Sequence, residues 1–252
     1  MKNRISYFGM LVVMLLISSC IAETKSNSTA SITNEVIEQS PIKSVLTAEE
    51  QAEMSPDEII GRLKKGNENF MSNNLTRRDH SSQRREAMIG QYPKAIVLSC
   101  VDSRVPVEDV FDLGIGDIFV ARVAGNIENA DIVGSMEFAT AVAGSKVVIV
   151  MGHSACGAVK HAVDNTDAAS MEMNSLQDLL NEIKPSVDAT DKIGEVSSKN
   201  TEFLNNVIHK NAKITVEDIR KRSPKMAALE SEGKIKIVAA VYNMSTGKVD
   251  FI

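Results

Sequence analysis

Four short segments composed almost entirely of apolar residues are spaced along the chain, and each is bounded by polar or turn-forming residues. They are Ala95–Leu98, Ile118–Ala121, Lys146–Val150 and Ile235–Val241. Runs of this length without polar alternation are typical of strands that are buried on both faces of a parallel sheet. A short final strand is expected after the turn-forming residues Ser245–Gly247.

Segments with apolar residues at helical spacing lie between and before these strands. The clearest begins at Ser55, which is followed by Pro56 and two acidic residues, a typical helix start, and it is expected to run to about Asn73. The polar segment 75–85 is interpreted as a surface connection. Further helices are predicted around Ile132–Ala143 and over residues 156–165, 175–184, 199–211 and 215–222. Because strands and helices alternate, the sequence predicts an α/β fold with a mostly parallel central β-sheet flanked by helices.

The first 46 residues have a different character. Lys2 and Arg4 precede the apolar stretch Gly9–Ile17, which is too short for a permanent membrane span and is typical of an export signal. Two serines and then Cys20 follow, as in a lipobox, where the cysteine is acylated after cleavage; an ordinary signal with a chance cysteine is the alternative. We therefore expect a signal peptide over 1–19, a lipid-anchored flexible tether over 20–46 and one domain over 47–252. The protein would be exported, either periplasmic or anchored to the outer membrane, and would contact the membrane only through lipid on Cys20.

Composition excludes several functional classes. The 252 residues are 43% hydrophobic and 24% charged, as expected for a folded domain rather than a disordered chain. A net charge of -5 without basic blocks gives no reason to expect nucleic acid as a partner. Three cysteines are too few for a disulfide scaffold of this size. These observations leave an enzyme or a binding domain.

Two short motifs follow the first and third predicted strands. One contains Cys100 and Asp102, and the other contains His153 and Cys156. Side chains two apart on extended backbone point the same way, and residues three apart are neighbours on a helical turn. Since the carboxyl ends of parallel strands form one edge of the sheet, the motifs are expected to meet there. Two thiolates, an imidazole and a carboxylate form a donor set suited to Zn²⁺.

These residues have two other interpretations. Buried cysteines are often apolar filler, but that would leave the matched placement of both motifs at strand ends unexplained. A redox pair is the second alternative, yet the chain contains no C-x-x-C, and His153 and Asp102 would then have no role. The zinc interpretation uses all four side chains.

The motif C-x-D-S-R at Cys100–Arg104, combined with H-x-x-C at His153–Cys156, resembles the β-class carbonic anhydrases. The resemblance covers roughly residues 55–252 and includes the segments 112–126, 152–159 and 241–249. It implies reversible hydration of CO₂ to bicarbonate and a proton by a zinc-bound hydroxide. It also implies one Zn²⁺ per chain, with Cys100, His153 and Cys156 as fixed ligands.

The same resemblance implies roles for other residues. Asp102 either binds zinc as a fourth ligand, which would close the site, or pairs with Arg104, which would leave it open; both residues are expected to act in catalysis. Gln91, Gly157 and Phe119 are expected to bind CO₂ or bicarbonate. Relatives of this class imply a homodimer or a homotetramer. The sequence leaves two alternative functions open: hydrolysis of CS₂ or COS on the same fold, and non-catalytic zinc binding by a lipoprotein.

Overall fold

The four predicted apolar segments form the parallel strands of one sheet. The structure, a computed structural model, describes residues 40–252, so the predicted signal peptide, Cys20 and most of the predicted tether lie outside the described residues. The strands are β1 (Ala95–Ser99), β2 (Ile118–Arg122), β3 (Val147–His153), β4 (Lys236–Tyr242) and β5 (Val249–Phe251). Their order is β2-β1-β3-β4-β5, with β1 to β4 parallel and β5 antiparallel to β4. The predicted fold class is therefore confirmed.

Helices cover both faces of this sheet. They are α1 (Ala48–Glu53), α2 (Pro56–Met71), α3 (His80–Glu86), α4 (Val107–Val110), α5 (Ala130–Glu137), α6 (Gly157–Val163), α7 (Asn174–Asp188), α8 (Thr201–Arg222) and α9 (Pro224–Ser231). A π-helical turn, Phe138–Val142, continues α5. Among these helices, none combines the length and the apolar character needed to cross a membrane.

The core is divided between the two faces and the carboxyl edge of the sheet. Ile59 of α2 packs with Val97 and Ile149 on one face, and Met136 of α5 packs on the other. Every residue of β1 and β3 is buried, which explains why both segments are apolar without alternation. A third cluster, formed by α6, α7 and α8, packs behind the carboxyl ends of the strands. It surrounds the two cysteines of the predicted metal site.

Helix boundaries differ from the predictions in informative ways. The helices predicted over 199–211 and 215–222 are one helix, α8, because the buried face continues through Ala212 and Thr215. Helix α7 passes through Pro185, where the prediction ended. Helix α9 was not predicted, although Ser223 and Pro224 form the same start signal as Ser55 and Pro56.

The polar segment 75–85 is not a simple surface connection. It contains helix α3, and its Arg78 forms a shielded ion pair with Asp112, at 2.6 Å between Nη1 and Oδ1. Asp112 also accepts hydrogen bonds from Thr76 and Asn69. Ile42 pairs with this segment through backbone hydrogen bonds. Residues around Ile42, which the sequence assigns to the tether, therefore lie against the domain.

Candidate metal centre

Three side chains with metal-binding atoms meet at the carboxyl edge of the sheet. Cys100 follows β1, His153 ends β3, and Cys156 precedes α6. Because β1 and β3 pair in parallel register, with Ser99 opposite Met151, the residues that follow them lie side by side. One ligand atom from each of the three lies within 4.8 Å of the other two, and all three residues are buried.

The turn between His153 and Cys156 brings the Cys156 side chain back towards His153. Ala155 has a φ of 57°, a left-handed conformation that an alanine rarely adopts. Ser154 anchors the turn to the end of β4, since its N–H donates to the Tyr242 carbonyl at 2.9 Å. The Ser154 hydroxyl oxygen also accepts from the Met244 N–H at 3.0 Å. The sheet therefore fixes a turn that is strained at one residue.

His153 has one ring nitrogen bonded and one without a partner. Its Nδ1 lies 3.0 Å from the Ser154 carbonyl oxygen and donates to it, which leaves Nε2 as the acceptor of the neutral ring. Nε2 is completely buried and has no hydrogen-bond partner. A buried polar atom without a partner costs free energy, and a metal ion would satisfy it. This orphaned nitrogen belongs to the three-residue cluster.

The pKa values of the two cysteine thiols are shifted in opposite directions. The hydrogen bond from the Cys156 thiol, helped by the one from the Gly125 N–H, lowers the pKa of Cys100. The Cys100 thiolate in turn raises the pKa of Cys156, and burial raises it further. A second thiolate is thus unfavourable here unless a cation neutralises the pair.

The geometry fits zinc. The sulfur atoms of Cys100 and Cys156 are 4.0 Å apart. Two thiolates on a tetrahedral Zn²⁺ at the usual bond length are about 3.8 Å apart. Together with the orphaned Nε2 of His153, the two sulfurs provide the three protein ligands that are typical of a catalytic zinc site.

Asp102 is bound to Arg104 beside this cluster. The Arg104 guanidinium donates from Nε to Oδ1 at 2.9 Å and from Nη2 to Oδ2 at 2.7 Å. The Arg104 backbone N–H also donates to Oδ1 at 2.9 Å. These hydrogen bonds hold the pKa of Asp102 well below its usual range. Asp102 Oδ2 lies 3.9 Å from His153 Nε2, so the carboxylate adjoins the three ligands while Arg104 retains it.

Comparison with known proteins identifies the family. The carbonic anhydrase family model matches residues 95–249. Carbonic anhydrase 2 of Mycobacterium tuberculosis is 32% identical over 187 residues, which cover 74% of this chain and 87% of that protein. The β-carbonic anhydrase CcaA has the same fold, with a TM-score of 0.60 at 22% identity over 77% of this chain and 98% of that one. The chain belongs to the β-class carbonic anhydrases.

A second solved structure extends the structural likeness. One of the two tetrameric β-carbonic anhydrases from Sordaria macrospora matches with a TM-score of 0.58 at 21% identity, over 67% of this chain and 85% of that one. This chain therefore has the α/β fold of the β-class carbonic anhydrases throughout the matched region.

Three further residues were predicted to bind substrate in this carbonic anhydrase, and the chain does not bring them all to the cluster. Gly157 begins α6 directly after Cys156, beside the cluster. Gln91 is exposed and precedes β1, whereas Cys100 follows that strand. Phe119 lies opposite Ile96, near the amino end of β1, and contacts Phe138. Gln91 and Phe119 are thus separated from the cluster by about the length of β1.

Arg122 of this carbonic anhydrase was not predicted as a site residue. Arg122 ends β2 and donates from Nε to the Cys100 carbonyl at 3.0 Å and from Nη2 to the Asp102 carbonyl at 2.7 Å. It therefore fixes the backbone that carries a cysteine ligand and the paired carboxylate. The available signal was its position, because the end of the predicted second strand belongs to the same sheet edge as both motifs.

Proposed function

We propose that this chain is a zinc enzyme that catalyses the reversible hydration of CO₂ to bicarbonate and a proton. The observation that carries the proposal is the buried cluster of Cys100, His153 and Cys156, with the orphaned Nε2 of His153 beside the Asp102–Arg104 pair. Pure metal storage has no need of a carboxylate that an arginine holds next to the ligands. The 32% identity to a named carbonic anhydrase supports the same reaction.

The protein residues divide the work of this reaction. Cys100, His153 and Cys156 would hold one Zn²⁺ per chain, which supplies a Lewis acid able to lower the pKa of water to about 7. Asp102 accepts a hydrogen bond at Oδ2 from the water that reacts with CO₂ and so orients it. Arg104 holds Asp102 in place and prevents that carboxylate from joining the ligand set. The Gly157 N–H is available to bind an oxygen of CO₂ or bicarbonate.

The test is a stopped-flow measurement of CO₂ hydration on protein without residues 1–20, together with its zinc content. We expect one zinc per chain and hydration that disappears with a chelator and returns with zinc. Zinc binding without CO₂ hydration would overturn the proposal, and COS and CS₂ hydrolysis would then be measured on the same preparation. Absence of zinc would contradict the assignment of the ligands.

We propose, further, that the enzyme works as an even oligomer that is built on the outer edge of β2. Among the described strands, β2 pairs only with β1, and its residues Ile118 to Ala121 stay half-exposed. Phe138 and Val142 add exposed apolar surface nearby. An open apolar strand edge favours pairing with another chain. The tetrameric relative from Sordaria macrospora supports the assembly.

A twofold axis at this edge would also give Gln91 and Phe119 their predicted roles. Two β2 strands that pair across such an axis run antiparallel, so the amino edge of one sheet approaches the carboxyl edge of the other. Gln91 and Phe119 lie towards the amino edge, and the cluster lies at the carboxyl edge. We therefore assign both residues to the partner's site.

Mixing two inactive variants tests this exchange. Gln91→Ala removes the substrate-binding side chain, and Cys100→Ser disables the ligand set. If Gln91 serves the partner, the mixed dimer contains one complete site, and activity returns after the subunits are exchanged. If Gln91 serves its own subunit, no mixed dimer has a complete site and no activity returns. Sedimentation of each variant verifies that the oligomer is intact.

We also propose that the protein is exported and anchored by lipid on Cys20, in the periplasm or at the outer membrane. The basic start, the apolar stretch Gly9–Ile17 and the small residues before Cys20 support this proposal. Metabolic labelling with a radioactive fatty acid should mark the full-length chain and leave Cys20→Ala unlabelled. Labelling of Cys20→Ala, or an unprocessed cytosolic chain, would contradict the anchor.

A further inference from the structure

A chain of buried hydrogen bonds runs from helix α7 to the sulfur of Cys100. The Ser186 hydroxyl donates to Asn211 Oδ1 at 3.1 Å. Asn211 Nδ2 donates to the Gly125 carbonyl at 2.8 Å. The Gly125 N–H then donates to Cys100 Sγ at 3.4 Å, within the range of a hydrogen bond to sulfur. We call these four residues the thiolate relay.

Asn211 stands out because of its surroundings. It is 2% exposed and lies on the apolar face of α8, next to the buried Ile208 and Ala212. An amide in such a position destabilises the fold unless its hydrogen bonds are satisfied. Both of its polar atoms have partners in the relay, and Ser186 is itself 1% exposed. Packing alone would be served as well by an apolar residue of the same size.

Gly125 transmits this contact to the sulfur. Its φ of 72° is in the left-handed region, and a Cβ here would lie 2.6 Å from Ile183 Cδ1. A larger residue here would be strained by this φ and would have to displace the Ile183 side chain. The N–H and carbonyl of Gly125 belong to the two peptide units that flank one Cα. A hydrogen bond on the carbonyl therefore restricts the direction of the N–H. Without Asn211, that N–H is free to turn away from Cys100.

We infer that Asn211 is a positioning residue that aims the Gly125 N–H at the Cys100 thiolate and so strengthens and tunes metal binding. A hydrogen bond to a ligand sulfur withdraws electron density from it and fixes its orientation, as partners of metal ligands generally do. This inference rests on the proposed zinc function. Its experiments measure the metal–sulfur bond and therefore do not depend on turnover.

The first test compares Asn211→Leu with the wild-type protein. The leucine keeps the volume and removes the donor. We expect zinc affinity, measured by chelator competition, to fall at least about ten-fold. In the cobalt-substituted protein, the thiolate-to-cobalt charge-transfer band should move to longer wavelength, because the sulfur loses its hydrogen bond. A purely structural role of Asn211 would not move this band.

Two further variants make the result decisive. Thr215→Val, one turn along α8 and equally buried, removes a polar group outside the relay and should leave both the affinity and the band unchanged. Ser186→Ala removes only the hydrogen bond that Asn211 Oδ1 accepts. It should shift the band in the same direction as Asn211→Leu, but by a smaller amount. If Asn211→Leu does not fold, the Ser186→Ala spectrum decides.

Unchanged affinity and an unchanged band in the folded Asn211 variant would overturn the relay while leaving the proposed function intact. The same conclusion follows if Thr215→Val changes both as much. A different outcome is that the variants differ from wild type as expected in affinity and band position while the wild-type protein does not hydrate CO₂. That outcome would support the relay and contradict the proposed function. Wild-type protein that binds neither zinc nor cobalt would overturn both.

Discussion

The Arg104 guanidinium holds both carboxylate oxygens of Asp102, at 2.9 Å from Nε and 2.7 Å from Nη2. Two parallel hydrogen bonds of this kind fix the plane of the carboxylate as well as its position. Arg104 is 57% exposed on its side chain, and exposed ion pairs contribute little to the free energy of unfolding. The pair therefore contributes mainly to the position of Asp102 and little to the stability of the fold.

Arg104→Ala is the direct test of that role. With its partner gone, the Asp102 carboxylate is free to turn towards the ligands, 3.9 Å from its Oδ2 to His153 Nε2. We expect CO₂ hydration to fall at least about ten-fold while zinc stays bound. Stopped-flow rates and zinc content on the same sample measure both quantities.

Arg104→Lys serves as the comparison, because lysine keeps the charge but lacks the two-pronged donor. It should recover only part of the activity. Arg62→Ala removes an exposed arginine of α2, far along the chain from the cluster, and should retain full activity. Full activity in Arg104→Ala would show that the pair is an ordinary surface contact.

Arg122 is expected to matter through the backbone rather than through a reacting atom. Its side chain binds the carbonyls of Cys100 and Asp102. In Arg122→Lys, one ammonium cannot reproduce both bonds. We predict faster loss of zinc to a chelator and a lower hydration rate, each by about ten-fold. If the rate of zinc loss and the hydration rate are both unchanged in this variant, β1 alone is sufficient to hold the Cys100–Asp102 loop.

The sequence predicted the strands well because β1 and β3 are buried on both faces, so that their composition carries the signal. Helix boundaries were less predictable. The junction inside α8 is polar at Lys213 and yet helical, since the buried face resumes at Thr215. Periodicity does not distinguish a continuous helix from two helices with such a junction.

For the site, the motifs located the three side chains that meet at the carboxyl edge, because topology alone brings those strand ends together. Residues that act through backbone atoms could not be found from the motifs. Arg122 and Asn211 contact carbonyl groups, and such contacts leave no residue-type pattern near the motifs. The state of Asp102 was equally undetermined by sequence, since a carboxylate two residues from a cysteine can reach either the metal or Arg104.

Loss of zinc should make the enzyme sensitive to thiol oxidation. The sulfurs of Cys100 and Cys156 are 4.0 Å apart and need to approach to about 2.0 Å to form a disulfide. Oxidised glutathione would accept the two electrons and become two molecules of glutathione, while the cysteines lose their protons. We predict rapid formation of the Cys100–Cys156 disulfide in the metal-free protein and protection by bound zinc. Mass spectrometry after thiol alkylation measures the disulfide directly.

Cys100→Ser is the control for this prediction. It leaves Cys156 without a partner at the site, so that only a mixed disulfide with glutathione is expected. Equal oxidation rates with and without zinc in the wild-type protein would contradict the proposal that the metal occupies these two sulfurs.

The ion pair between Arg78 and Asp112 predicts a stability that depends on pH. Burial opposes ionisation of Asp112, but the hydrogen bonds from Arg78, Asn69 and Thr76 outweigh it, so that the pKa of Asp112 is lowered in the folded state. A lowered folded-state pKa stabilises the fold at pH values above the unfolded pKa of about 3.9. This contribution is lost progressively as the pH falls below that value towards the folded pKa.

Asp112→Asn should therefore destabilise the protein by about 3 kcal/mol at pH 7, because Arg78 is left as a shielded charge without its counter-ion. The difference from wild type should shrink as the pH is lowered from about 5 towards the folded-state pKa, since the unfolded wild-type chain then takes up a proton at Asp112 while the folded chain keeps the charge. Urea unfolding across this range measures it. Asp188→Asn, whose side chain is 68% exposed at the end of α7, should change stability by less than about 0.5 kcal/mol at every pH. A difference between Asp112→Asn and wild type that stays constant with pH would mean that the lost hydrogen bonds, and not the charge of Asp112, stabilise this segment.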